Sequence, residues 1–144
     1  MNYIASIFSY HFSRRLFQIV ICALLLIPLG MGITGMLFGL KGLSWVLGIP
    51  MSAIEPNIDS DFRFLAAIFF GMGIIIAWIL PRIEKNTALF RIVAGAICLG
   101  GIARIASALI VGSPNMRTWL LVAVELTAPL FIWWQWQLSK AAKQ

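Results

Sequence analysis

Four apolar runs, at about residues 16–40, 64–80, 88–111 and 118–137, take up nearly the whole chain and leave little choice of fold. Each is close to the ~20 residues that cross a bilayer as a helix, the second being the shortest. Lipid offers the backbone no hydrogen-bond partner, so runs of this kind close their own bonds as helices. Composition agrees. Of 144 residues, 61% are hydrophobic and 11% charged, with mean hydropathy +0.95, whereas a soluble domain carries about 25% charge. The expected fold is an all-α membrane protein, one transmembrane domain over residues 1–144 built as a bundle of four spanning helices. No separate soluble domain or linker fits between the runs.

The net charge of +6 is a topology signal and not a nucleic-acid surface. Arg14, Arg15, Arg82, Lys85, Arg91, Lys140 and Lys143 flank one side of the spans. Lys41, Arg63 and Arg117 lie on the other, with Glu55, Asp59 and Asp61. By the positive-inside rule both termini are expected in the cytoplasm. Residues 1–15 place Ile4, Ile7, Phe8, His11, Phe12 and Arg15 at helical spacing, which predicts a short interfacial helix before the first span. His11 reads as an interfacial residue at the polar edge.

The chemistry concentrates between Gly100 and Phe131. This stretch ends one span, turns at Gly112-Ser113-Pro114-Asn115 and opens the next, with one charge on each arm, Arg104 and Glu125. With the first arm ending near Val111 and the second beginning near Thr118, each charge lies seven residues from its arm's end at the turn, which puts both about 10 Å below the same surface. Left apart in hydrocarbon each costs a few kcal/mol or more, so they are expected to pair inside the bundle. Pro129 cannot donate to the carbonyl of Glu125, so carboxylate and free carbonyl arise together, and an Arg guanidinium has donors for both. Gly100 and Gly101 share the face of Arg104, and Gly35 and Gly39 form a small-xxx-small pair in the first span; both pairs are expected to let helices approach closely. The third span, richest in small residues, is expected to be central. Arg63, in the first turn of the second helix, and Asp61 beside it are expected to join Arg104 and Glu125 in one polar cluster.

Several motifs fail on context. Gly30-Met31-Gly32-Ile33-Thr34-Gly35 matches a dinucleotide fingerprint, but no strand–turn–helix unit surrounds it. Asn57-x-Asp59-x-Asp61 opens like a calcium loop, yet Phe62 stands where Gly is needed and Ile68 where Glu is needed. A Ser60 or Asp61 cap on the second helix is the simpler reading. Ser13-Arg14-Arg15 resembles an export signal, but the apolar run after it is long and lacks a small-x-small cleavage site. Cys22 and Cys98 sit at different depths and read as small core residues. No cofactor and no metal are expected.

Three marks together resemble a known family: Asp61-Phe62-Arg63-Phe64, Gly101-Ile102-Ala103-Arg104-Ile105-Ala106-Ser107 followed by Gly112-x-Pro114, and Glu125. They are similar to the bacterial "domain of unknown function 4345" family of small four-helix membrane proteins, over roughly residues 15–137. The resemblance implies a bacterial inner-membrane protein and supplies no reaction. With no nucleophile–base pair and no acidic motif for group transfer, an enzyme is not expected. The function expected is a homo-oligomer, a trimer by preference, supporting the cell envelope through ion passage or lipid organisation. The alternative is a small-molecule or ion transporter with Glu125 as its coupling carboxylate.

Overall fold

The computed structural model describes residues 2–50, 52 and 54–143, with side chains from Tyr10 onward. The helical pattern expected of Ile4, Ile7 and Phe8 therefore lies outside the described side chains. Among the described residues five α-helices follow one another: α1 (Asn2–Leu47), α2 (Pro56–Ile79), α3 (Thr87–Ile110), α4 (Met116–Glu125) and α5 (Ala128–Ala141). Four helical stretches are long and apolar enough to cross a membrane, α4 and α5 together forming the fourth. Among the described residues there is no strand.

Helix α1 differs from expectation at both ends. Residues 2–15 run into the first span without a break, so nothing in the backbone delimits a separate interfacial helix. Pro28 sits inside the helix, yet the helix breaks at Gly39 (φ 61°, ψ −153°). Only glycine populates that region readily. A Cβ at Gly39 would collide with the Asp59 carboxylate, so Gly39 is a hinge point of the backbone and not only a packing residue. The chain turns again at Gly48 (φ 72°), which closes residues 40–47 by donating its N–H to Ser44 O at 2.8 Å.

Helix α2 starts eight residues before the apolar run it carries. Pro56 takes the first helical position, where its missing N–H would go unused and its φ is already helical. Neither Ser60 nor Asp61 caps it; the residue before the helix is Glu55, whose side chain makes no capping bond. At the far end Pro81 turns the chain through a 3-10 segment, Leu80–Arg82. The expected fourth span is two helices. Pro129, second in α5, denies Glu125 a helical partner, and the chain kinks at Leu126 and Thr127. Thr127 Oγ1 donates to Val124 O at 2.6 Å across the kink.

Helices α1 and α2 form one antiparallel hairpin in close contact. A Cβ on Gly35 would stand 2.8 Å from Ala66 Cβ, and one on Gly32 2.8 Å from Phe70 Cβ. Helix α3 pairs with α4 and α5 in a second hairpin, and α2 touches α3 sparsely. The core sits in the half of the bundle nearest the termini, where Phe17, Ile79, Ile83 and Phe90 are almost wholly buried. There Phe17 meets the edges of Phe90, Phe131 and Trp134 at ring distances of 5.7, 6.4 and 5.3 Å. Helix α3 is not central: its buried residues are Phe90, Val93, Ala94 and Gly101, while Gly100, Ala103, Ala106 and Ser107 are exposed. Cys22 is likewise exposed and Cys98 half-buried, neither in a disulfide. The accessible surface, 9494 Å², exceeds the ~7400 Å² of a compact soluble protein of 16.0 kDa. The excess is the outward apolar surface of thinly packed spans.

Candidate functional site

Because α2 and α3 share a short turn and separate beyond it, a groove of about 230 Å³ opens between them. Its walls are Leu65, Ile68, Phe69 and Met72 from α2 and Ala96, Ile97 and Gly100 from α3. Among the described residues, Arg104 and Glu125 supply its charges. Behind it lies a narrower apolar cavity of about 100 Å³ that reaches Ile21, Pro28 and Ala128. Glu125 lines both spaces.

Arg104 Nε lies 3.2 Å from Glu125 Oε2. The two side chains differ in burial, 39% exposed for Arg104 and 14% for Glu125. Glu125 Oε2 is itself shielded yet accepts no hydrogen bond, because the guanidinium approaches close without aiming an N–H at it. Among the described residues Arg104 donates to no backbone carbonyl, so the expected double use of carboxylate and proline-freed carbonyl is not made. Gly101 supports the approach: a Cβ there would meet Glu125 Cβ at 3.0 Å. Gly100 does not, having nothing within 4 Å of that position.

The four expected charges do not form one buried cluster. Arg63 turns to α1, donating through one terminal nitrogen to Met36 O at 3.1 Å and Leu37 O at 2.8 Å. Its Nε donates to Asp59 Oδ2 at 2.7 Å. Asp59 Oδ1 accepts the N–H of Leu40 at 2.7 Å. Together they satisfy both sides of the break at Gly39: the carbonyls before it and the amide after it. Asp61 is exposed and has no ion-pair partner among the described residues. Asp59, one turn before Arg63, is the acid that matters here. The sequence signal for it is its i,i+4 spacing from Arg63, which the incomplete calcium-loop pattern around it obscures.

Sequence reasoning also missed Gln135. It is fully buried, its Nε2 donating to Ile83 O at 3.2 Å and Ser139 Oγ at 2.9 Å, its Oε1 accepting from Arg91 Nε at 3.2 Å. The amide set among Trp133, Trp134 and Trp136 was the available clue. Trp134 itself points inward and donates to Ser13 Oγ at 2.9 Å. Among the described residues no three His, Cys, Asp or Glu side chains come together as metal ligands.

Four apolar spans, two internal helix breaks and charged pairs held against the helices define a multi-pass α-helical membrane protein. The model of one family, the domain of unknown function DUF4345, matches residues 16–135, and the chain belongs to that family. No curated protein and no solved structure matches it.

Proposed function

We propose that this chain is a bacterial inner-membrane protein that holds the apolar part of an amphiphile in the α2–α3 groove and so organises membrane lipid, without catalysis. The observation that carries the reading is the groove itself. Its walls are apolar, it opens laterally, and one Arg–Glu pair lies within it with an unused acceptor on Glu125. Apolar walls take an acyl chain, while Arg104 and Glu125 Oε2 suit a group that both accepts and donates hydrogen bonds.

Orientation follows from charge: both termini lie in the cytoplasm. Residues 2–38 of α1 extend about 55 Å as a helix, well beyond a ~30 Å core. Its N-terminal turns therefore stand past Arg14 and Arg15, in or above the headgroup layer. Assembly as a homo-oligomer, a trimer by preference, is supported by the unpartnered small residues of α3: Ala103 and Ala106 are exposed, and Gly95 has open space beside it. A monodisperse monomer by native mass measurement in mild detergent would end the oligomer reading.

A phospholipid with a photoreactive acyl chain tests the groove. It is expected to crosslink to residues 65–72 and 96–104, and Gly100→Trp, which fills the groove, is expected to abolish the product. Crosslinking unchanged by Gly100→Trp would exclude the groove as the lipid site. The position of Glu125 between groove and inner cavity favours a second reading, transport with Glu125 as coupling carboxylate. Proton flux into proteoliposomes that vanishes in Glu125→Gln would select it.

A further inference from the structure

At the end of the bundle that carries both termini, the helices enclose an open cup of about 1060 Å³. Among the described residues six cations line it, Arg14, Arg82, Lys85, Arg91, Lys140 and Lys143, against one carboxylate, Glu84. Glu84 is already engaged by Arg14 Nε and by the Tyr10 hydroxyl at 3.1 Å. Arg14 is further fixed by donating to Pro81 O at 2.8 Å. The other five cations make no ion pair among the described residues.

The cup is a built feature, distinct from the groove. Arg91 is held by Gln135, which is locked in turn by Ile83 O and Ser139 Oγ, while Ser139 returns its own hydroxyl to Gln135 O at 3.0 Å. With Nε so used, the terminal nitrogens of Arg91 have no protein acceptor among the described residues. Lys140 lies 3.4 Å from the centre of the Trp136 ring, a cation–π contact that holds the ammonium at the wall. Like charges gathered around one space repel, and more so where burial lowers the dielectric. The arrangement calls for an anion.

Depth decides which anion. The cup sits where the apolar spans end and Trp136 marks the interface. Phosphates are concentrated in that layer as lipid headgroups, and basic pockets between helices bind them. We infer that the cup binds the headgroup of an anionic phospholipid, one carrying two phosphates in preference to one. A monophosphate offsets one of the five surplus charges, while a diphosphate offsets two and can bridge Arg91 on one wall and Lys140 or Lys143 on another. The inference stands apart from the groove and from any transport reading.

The test is a titration of the full purified chain, in nonionic detergent, with diphosphatidylglycerol, phosphatidylglycerol, phosphatidylethanolamine and inorganic pyrophosphate. Bound lipid is counted by native mass spectrometry and stability followed by thermal unfolding. The result expected is retained diphosphatidylglycerol with a Tm raised by several degrees and lost at high salt. Phosphatidylglycerol is expected to bind more weakly, and the other two not at all. Lys85→Gln and Lys143→Gln, at exposed positions, should preserve the fold and weaken affinity about fivefold each. An equal response to pyrophosphate would assign the cup to a free anion, and an equal response to phosphatidylethanolamine would remove the charge argument. Unchanged affinity in the double lysine variant would place the lipid elsewhere. Each of these three outcomes overturns the proposal.

Discussion

Asp59 accepts the backbone N–H of Leu40 at 2.7 Å, one residue past the break in α1 at Gly39. The same carboxylate holds Arg63, which covers the carbonyls of Met36 and Leu37 on the other side of the break. Broken helices survive at membrane depth only when such groups find partners. Here one acid and one base on α2 supply partners on both sides of the discontinuity in α1.

Removing either member should therefore cost more than a surface ion pair. Asp59→Ala and Arg63→Met are each expected to lower Tm, because each leaves backbone groups beside the break without their partner. Gly39→Ala should be worse, because strained backbone and a collision with Asp59 combine. Gly100→Ala, which meets nothing, should leave Tm unchanged or raise it by removing a helix-interior glycine. Thermal unfolding of the four variants in one detergent checks the order.

The Arg104–Glu125 pair should behave as coupled charges. Glu125→Gln and Arg104→Met are each expected to lower stability, and the double change to recover part of the loss. Since Arg104 is 39% exposed, the single losses should be about 1 kcal/mol, well under the 3–5 of a fully buried pair. Additive losses in a double-mutant cycle would show that the two charges do not depend on each other. Complementation of a deletion strain by the folded double variant would assign the pair to structure alone.

Gln135→Leu should be among the most damaging single changes outside the glycines. It leaves Ile83 O and Ser139 Oγ short of a donor and Arg91 without its acceptor. A loss of about 2–6 kcal/mol is expected, one to three for each of the two buried acceptors, Ile83 O and Ser139 Oγ, that lose this donor. Gln135→Glu should be tolerated better, because it keeps the acceptor for Arg91. Tm of the two variants separates these outcomes.

Topology is open to direct labelling. With Cys22 and Cys98 replaced by Ala, Ser52→Cys is expected to react with an impermeant maleimide from outside the cell, and Lys143→Cys only after lysis. Residue 52 reacting solely from the cytoplasm would invert the orientation.

Much of the fold was legible because lipid simplifies the code. Long apolar runs, Pro81 at the end of α2 and the Gly-Ser-Pro-Asn turn each have one local meaning, and all four spans follow from them. Legibility failed where a local rule had two uses. Gly39 was a packing glycine by spacing and a helix break by φ, and only the partner helix decides between them. Small residues on α3 promised a central helix, yet α3 turns that face outward. Depth matching brought Arg104 to Glu125 but could not give the angle of approach, which leaves Oε2 without a hydrogen bond. Asp61 and Asp59 are both near Arg63 in sequence, and helical periodicity selects Asp59 only once the helix is known to start at Pro56.

The burial of Phe17 bears on how the protein is made. Near the N-terminal end of the first span, it is covered by Phe90 and then by Phe131 and Trp134 close to the C-terminus. Of the four spans, the one that comes first in chain order thus completes its packing last. Until residues 131–134 have been synthesised and inserted, Phe90 alone of the three rings covers Phe17. A chain stopped before residue 131 leaves two of the three ring contacts on Phe17 unmade, so the join between the hairpins is completed from α5.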